Sequence, residues 1–115
     1  MKRNIKETPP NVLEMIPTHQ INFEERDGTI YLLEPRFRNR MFLKYVLPRM
    51  KHPYVKIALD EFGTYVWKKI NGRKTVYEIG NELKSEYGTK VEPVYERLGL
   101  FVNMLAQRQF VSLRQ

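Results

Sequence analysis

Apolar and polar positions along this chain change period near its middle. Before residue 60 the pattern is short and alternating. Ile21 and Phe23 alternate with polar neighbours, Asp27-Gly28 interrupts, and an apolar run Ile30 to Leu33 follows. A two-residue loop of the Asp-Gly kind suits a type I′ turn, whose central residues both need positive φ, so residues 21–35 read as a β-hairpin. Pro35 closes its second strand, because proline brings no ladder donor. "PYVKIAL", residues 53–59, reads as a third strand with Tyr54, Lys56 and Ala58 on one side and Val55, Ile57 and Leu59 on the other. The second set is expected in the core.

After residue 60 the period becomes helical. Asp60 is a good N-cap for a helix reaching about Ile70, with Phe62, Val66 and Ile70 on one face and Trp67 beside them. Asn71-Gly72 should stop it. Thr75-Val-Tyr-Glu78 is a capping box opening a second helix, with Ile79, Leu83 and Tyr87 at four-residue steps and Gly88 at its end. A third helix starts at Pro93, a favoured first-turn residue, and runs to about Arg108. At about 100° per residue, Val94, Tyr95, Leu98, Phe101, Val102 and Leu105 share its broad apolar face. Gly99 and Ala106 lie on one flank, Arg97, Met104 and Arg108 on the other, and Leu100 faces away. "FVSL" can add a short last strand. The prediction is an α+β, winged-helix-like domain: a three-stranded antiparallel sheet followed by a three-helix bundle.

Two segments stand apart. Residues 1–18, with three prolines, read as a flexible N-terminal arm before a domain at 19–115. The cluster Val12, Leu13, Met15 and Ile16 could instead dock on the core or make a turn of helix. Residues 36–51 read as a basic insertion between strands, a short amphipathic helix with Phe42, Tyr45 and Val46 on one face or an irregular crossing.

Charge sharpens that second segment. The chain of 115 residues carries 20 Lys and Arg against 13 Asp and Glu. Six of the cations (Arg36, Arg38, Arg40, Lys44, Arg49, Lys51) fall in 36–51 with no acid among them, and the remainder holds 14 cations against 13 acids. The basicity is one patch on a nearly neutral domain. Its apolar residues are expected to fold back on the sheet; the alternative is a surface that docks a protein or a membrane.

Catalytic chemistry is missing from the residue inventory. There is no cysteine, and His19 and His52 have no second ligand at metal spacing. Glu24-Glu25 and Asp60-Glu61 are adjacent pairs whose side chains diverge, which is wrong for an acid–base dyad. The glycines form no phosphate-cradling loop. No metal, cofactor or catalytic residue is expected. No run reaches the roughly 18 apolar residues of a membrane span, and "MKRNIKETPP" lacks a signal-peptide core, so a cytoplasmic location is the default expectation.

These features, in order, resemble the PqqD-like family (coenzyme PQQ synthesis protein D): Leu59-x-Glu61 with Gly63, Trp67, Asn71-Gly72, Thr75-Val76-x-Glu78-Ile79 and the run Phe101 to Leu105, over roughly residues 20–113. This chain departs from the family pattern in its lengthened 36–51 segment, in Arg97 where many members carry Asp, and in Gln109-Phe110 for the usual Gly-Leu. The resemblance implies a non-catalytic adaptor, also known as a RiPP recognition element. Such a domain binds the leader of a ribosomally made precursor peptide as an added strand and presents it to a radical SAM or other peptide-modifying enzyme, as in pyrroloquinoline quinone biosynthesis. Carried onto this chain, the peptide would lie along Tyr54, Val55, Lys56, Ile57 and Ala58 and against Arg97, Phe101, Met104 and Arg108. A flexible Met between two cations suits a partly apolar, partly acidic peptide. A homodimer through paired strand edges is left open. The competing class is a winged-helix nucleic-acid-binding protein, with the basic segment as phosphate footprint. Against it, a recognition helix should present polar and basic groups at its start, and "PVYERLGL" offers only Arg97.

Overall fold

The computed structural model describes residues 12–36 and 41–115. Five strands and three α-helices follow one another as β1 (Ile16–His19), β2 (Phe23–Arg26), β3 (Thr29–Pro35), β4 (Tyr54–Ala58), α1 (Glu61–Lys69), α2 (Val76–Tyr87), α3 (Val94–Gln107) and β5 (Val111–Arg114). The fold is mixed α+β, with a three-stranded antiparallel sheet followed by helices. The chain divides into two compact units, residues 21–64 and residues 1–20 with 65–115.

In the first unit the sheet order is β2-β3-β4. The hairpin forms where the Asp-Gly pair requires it: φ is +54° at Asp27 and +80° at Gly28, and Phe23 faces Leu32 across the pair. β3 is the central strand, and Ile30 and Leu32 on one of its faces are fully buried. Thr64 clips the sheet to the start of α1: its Oγ1 accepts the Ile30 N–H at 3.2 Å and donates to the Leu59 carbonyl at 3.3 Å. Asp60 caps α1 by accepting the Gly63 N–H at 2.8 Å.

The second unit holds α2, α3 and most of α1. Asn71 Oδ1 accepts the Arg73 and Lys74 N–H groups, turning the chain out of α1. The Thr75–Glu78 capping box is complete in both directions, at 2.9 and 3.1 Å. Val76, Ile79 and Leu83 of α2 pack with Val94, Leu98, Val102 and Leu105 of α3 in a fully buried core, and Leu100 stands 69% exposed. Gly80 is a close-approach site: a Cβ there would lie 2.7 Å from the Tyr95 ring. α3 begins at Val94, one residue past the predicted start, with Pro93 as its N-cap.

The structure differs from the sequence reading at the arm. Val12–Glu14 make a turn of 3₁₀ helix and β1 pairs antiparallel with β5, His19 opposite Val111. Val12 is buried and the Met15 carbonyl accepts the Val76 N–H at 2.9 Å. The docked alternative for that apolar cluster is the one adopted, and residues 1–11 lie outside the described residues. A strand of four residues containing a proline carries too little alternation to announce itself; its partner lies almost a hundred positions away.

Candidate functional site

β4 is an edge strand, and its register fixes what the edge offers. The Leu59 N–H donates to the Ile30 carbonyl at 2.9 Å, and the Arg36 N–H to the Pro53 carbonyl at 3.1 Å. In an antiparallel pair hydrogen-bonded positions alternate. Pro53, Val55, Ile57 and Leu59 therefore turn their backbone groups toward β3. Tyr54, Lys56 and Ala58 sit at the non-bonded positions opposite Pro35, Leu33 and Tyr31. Their N–H and C=O groups point away from β3, and no strand lies beside them among the described residues. Pro35 falls opposite Tyr54, where a missing N–H costs the β3–β4 ladder nothing.

The side chains of Tyr54, Lys56 and Ala58 share one sheet face with Leu33 and Tyr31, as the alternation predicts. Lys56 Nζ bonds Glu24 Oε2 at 2.9 Å, reaching diagonally across β3. That hydrogen bond, more than any other influence, holds the Glu24 carboxyl below its usual range, and the charges of Lys56 and Arg26 add to it. Glu24 was not among the sequence-predicted site residues. The hairpin turn places it opposite Tyr31, but nothing in the sequence sets the β3–β4 register that brings Lys56 near. The other β4 face needs a correction. Val55, Ile57 and Leu59 were expected in the core, yet Val55 is 40% exposed and the other two are half-buried. An edge strand has a neighbour on one side only, so its inward face is covered less than that of β3.

The α3 residues lie in the other unit and stand by themselves. Arg97 and Phe101 are half-buried, while Met104 and Arg108 are exposed. The Arg108 guanidinium lies over the Phe110 ring, 5.0 Å from its centroid, so part of its cationic face is already engaged. The first turn of α3 presents Glu96 to solvent.

Of the basic patch, Arg38 and Arg40 lie outside the described residues. Residues 42–46 form one π-helical turn and 47–49 a turn of 3₁₀ helix. Tyr45 and Val46 do not fold back on the sheet: they are 54% and 44% exposed. A single turn is too short to bury a stripe. Arg36 pins the base of this excursion, with Nε–H donating to the His52 carbonyl at 2.6 Å beside the Arg36–Pro53 backbone bond.

His19 is the one histidine held in a specific setting. Its ring stacks on Trp67 at 4.0 Å, and Nε2–H donates to the Trp67 carbonyl at 3.0 Å. Burial lowers its pKa and the hydrogen bond to the carbonyl opposes that. Among the described residues no group of three or more His, Asp or Glu is placed to hold a metal, and no helix is long and apolar enough to cross a membrane.

The family model for coenzyme PQQ synthesis protein D (PqqD) matches residues 53–111, just over half of the chain. The match runs from the residue before β4 through all three helices to the first residue of β5. It leaves out the β2–β3 hairpin and the basic excursion. No curated protein and no solved structure matches the chain.

Proposed function

This chain belongs to the PqqD family, and we propose that it is a cytoplasmic, non-catalytic adaptor. It binds the leader of a ribosomally made precursor peptide by strand addition to β4 and presents it to a modifying enzyme, of the radical SAM type, in biosynthesis of PQQ or a related product. The observation that carries this reading is the outer edge of β4, beside which no strand lies among the described residues. There, three successive outward-facing residues, Tyr54, Lys56 and Ala58, offer backbone donors and acceptors that an extended chain can satisfy. Main-chain pairing supplies affinity with little demand on sequence, and the exposed Tyr54 side chain adds apolar contact. Arg97, Phe101, Met104 and Arg108 on α3 are proposed as separate peptide contacts. The nucleic-acid alternative draws little support from α3, whose start presents the acidic Glu96 and a single, half-buried Arg97.

The test is an NMR titration of labelled protein with short peptides encoded beside its gene. Binding by strand addition shifts and protects the amides of Tyr54, Lys56 and Ala58, while those of Val55 and Ile57, already bonded to β3, keep their protection. A bound peptide that leaves the three outward amides exchanging as before overturns the reading.

A further inference from the structure

The excursion between β3 and β4 concentrates charge that the rest of the fold would neutralise. From Arg36 to Leu59 the sequence has seven cations and no acid. Elsewhere lysines meet carboxylates: Lys56 reaches Glu24 at 2.9 Å, Lys69 and Lys74 reach Glu82 at 3.3 and 2.7 Å, and Lys84 reaches Glu92 at 3.5 Å. Lys44, Arg49 and Lys51 are exposed, and among the described residues no carboxylate comes within ion-pair distance of them. Beside them stand Met41, 68% exposed, with Tyr45 and Val46 one π-turn on. Lys44 Nζ lies over the Tyr45 ring at 5.4 Å, so cation and apolar surface form one patch. The Arg36 bonds to His52 and Pro53 hold the foot of the excursion at the residues just before β4, next to exposed Tyr54 and Val55.

We propose that the 41–52 excursion is an extension of the β4 binding edge that takes an acidic, apolar-bearing segment of the same incoming peptide. The proposal rests on the strand-addition reading: a chain paired along β4 and continuing past Tyr54 meets residues 52 and 53, where the excursion joins the strand. Charge complementarity selects acidic residues, and the exposed Met41, Tyr45 and Val46 select apolar ones between them. A duplex nucleic acid would answer the cations and leave Met41 and Val46 in water. One π-turn followed by one 3₁₀ turn is too short for the continuous apolar face that lies in a membrane interface. The family match begins at residue 53, so the excursion lies outside the matched residues.

The test uses two synthetic peptides sharing a neutral Thr-Val half. The other half is Glu-Leu repeats in one and Lys-Leu repeats in the second, with the charged half placed at either end. Labelled full-length protein is titrated with each. The Glu-Leu peptide shifts amides of both 54–58 and 41–52, binds about tenfold more weakly to the Lys44→Glu/Arg49→Glu/Lys51→Glu variant, and loses the difference as salt rises. The Lys-Leu peptide shifts 54–58 alone. If both peptides shift 54–58 equally and neither touches 41–52, the extension is wrong and strand addition stands. If shifts occur at 41–52 only, or nowhere, the shared-chain proposal falls. Binding of phosphatidylserine vesicles or of duplex DNA that depends on the three cations, with no preference between the peptides, also overturns it. The three substituted side chains are exposed, and the chemical-shift pattern of the helices reports that the variant is folded.

Discussion

Proline substitution at neighbouring β4 positions separates the two edges of that strand. Lys56 sits at a non-bonded position, so its N–H points out of the sheet; Ile57 sits at a bonded position and donates to β3 opposite Leu32. Lys56→Pro removes no internal ladder bond. Its costs are the screened ion pair to Glu24, which Lys56→Ala removes equally, and the pull of φ from its strand value toward about −65°, which the stiffer unfolded chain offsets in part. The urea midpoint of Lys56→Pro should therefore fall close to that of Lys56→Ala. Ile57→Pro strips the donor from a bonded pair with fully buried Leu32 and truncates a half-buried side chain. The unanswered acceptor and the lost apolar burial together come to about 2–4 kcal/mol. That is a large part of the roughly 5–15 kcal/mol that holds a small domain together.

Binding should reverse the ranking. Lys56→Pro takes away the central outward donor and puts a ring carbon where the incoming strand must approach. Loss of one bond and weakening of a second costs about 1–2 kcal/mol, or roughly tenfold in Kd, relative to Lys56→Ala. The assays are urea unfolding by tryptophan fluorescence and titration with a peptide that shifts the β4 amides of the unaltered protein. Lys56→Pro unfolding as readily as Ile57→Pro would refute the register argument. Lys56→Pro and Lys56→Ala binding the peptide equally would refute strand addition at this edge.

Two further outcomes test the packing of the helical unit. Gly80→Ala puts a Cβ 2.7 and 2.9 Å from two Tyr95 ring atoms and 3.2 Å from Leu98 Cδ2, in a ring already stacked on Tyr77 and bonded to Asn81. Overpacking of about 1–3 kcal/mol outweighs the gain in helix propensity of about 1 kcal/mol, so the urea midpoint drops; a rise would show the α2–α3 approach to be looser than described. His19 is held neutral by burial, so its folded pKa lies below the ordinary 6.5. The unfolded chain takes up the proton first, and stability is full above about pH 6.5 and is lost as pH falls toward the folded pKa. Unfolding midpoints at about pH 7.5 and 5.5 should therefore differ more for the unaltered protein than for His19→Gln. Equal differences would remove His19 from that account.

Legibility in the sequence followed how local each determinant is. The Asp27-Gly28 turn, the Asp60 cap, the Thr75–Glu78 box and the Gly72 and Gly88 stops are decided within four residues, and each appears where the sequence places it. Outward-facing Tyr54, Lys56 and Ala58 follow from period two alone. What escaped depends on partners far along the chain. β1 is a strand because β5 lies beside it, and residues 16–19 carry no sign of that. Val55 was assigned to the core because alternation tells which residues share a face but not how well that face is covered. In the basic segment Tyr45 and Val46 are spaced as on a helix face, and the π-turn they lie in leaves both exposed. Lys56 and Glu24 needed the β3–β4 register, which no turn sets, because residues 36–53 intervene.

The Lys56–Glu24 pair bears directly on why β4 can receive another chain. Edge strands are commonly guarded by a lysine whose charge repels a second edge. Here the guard is drawn off: its ammonium is bonded to Glu24, beyond β3, on the face of the sheet rather than along its margin. The outward N–H and C=O of Lys56 are left with a partly neutralised side chain above them. An edge meant only to avoid aggregation gains from keeping that cation free. An edge that must pair with an extended peptide gains from having it tied back. Glu24→Gln releases the lysine, so it should weaken peptide binding without disturbing the β2–β3 register, and Lys56→Ala in the same background should restore it. A Glu24→Gln protein that binds as tightly as the unaltered one would mean that the ion pair is incidental to how the edge is used.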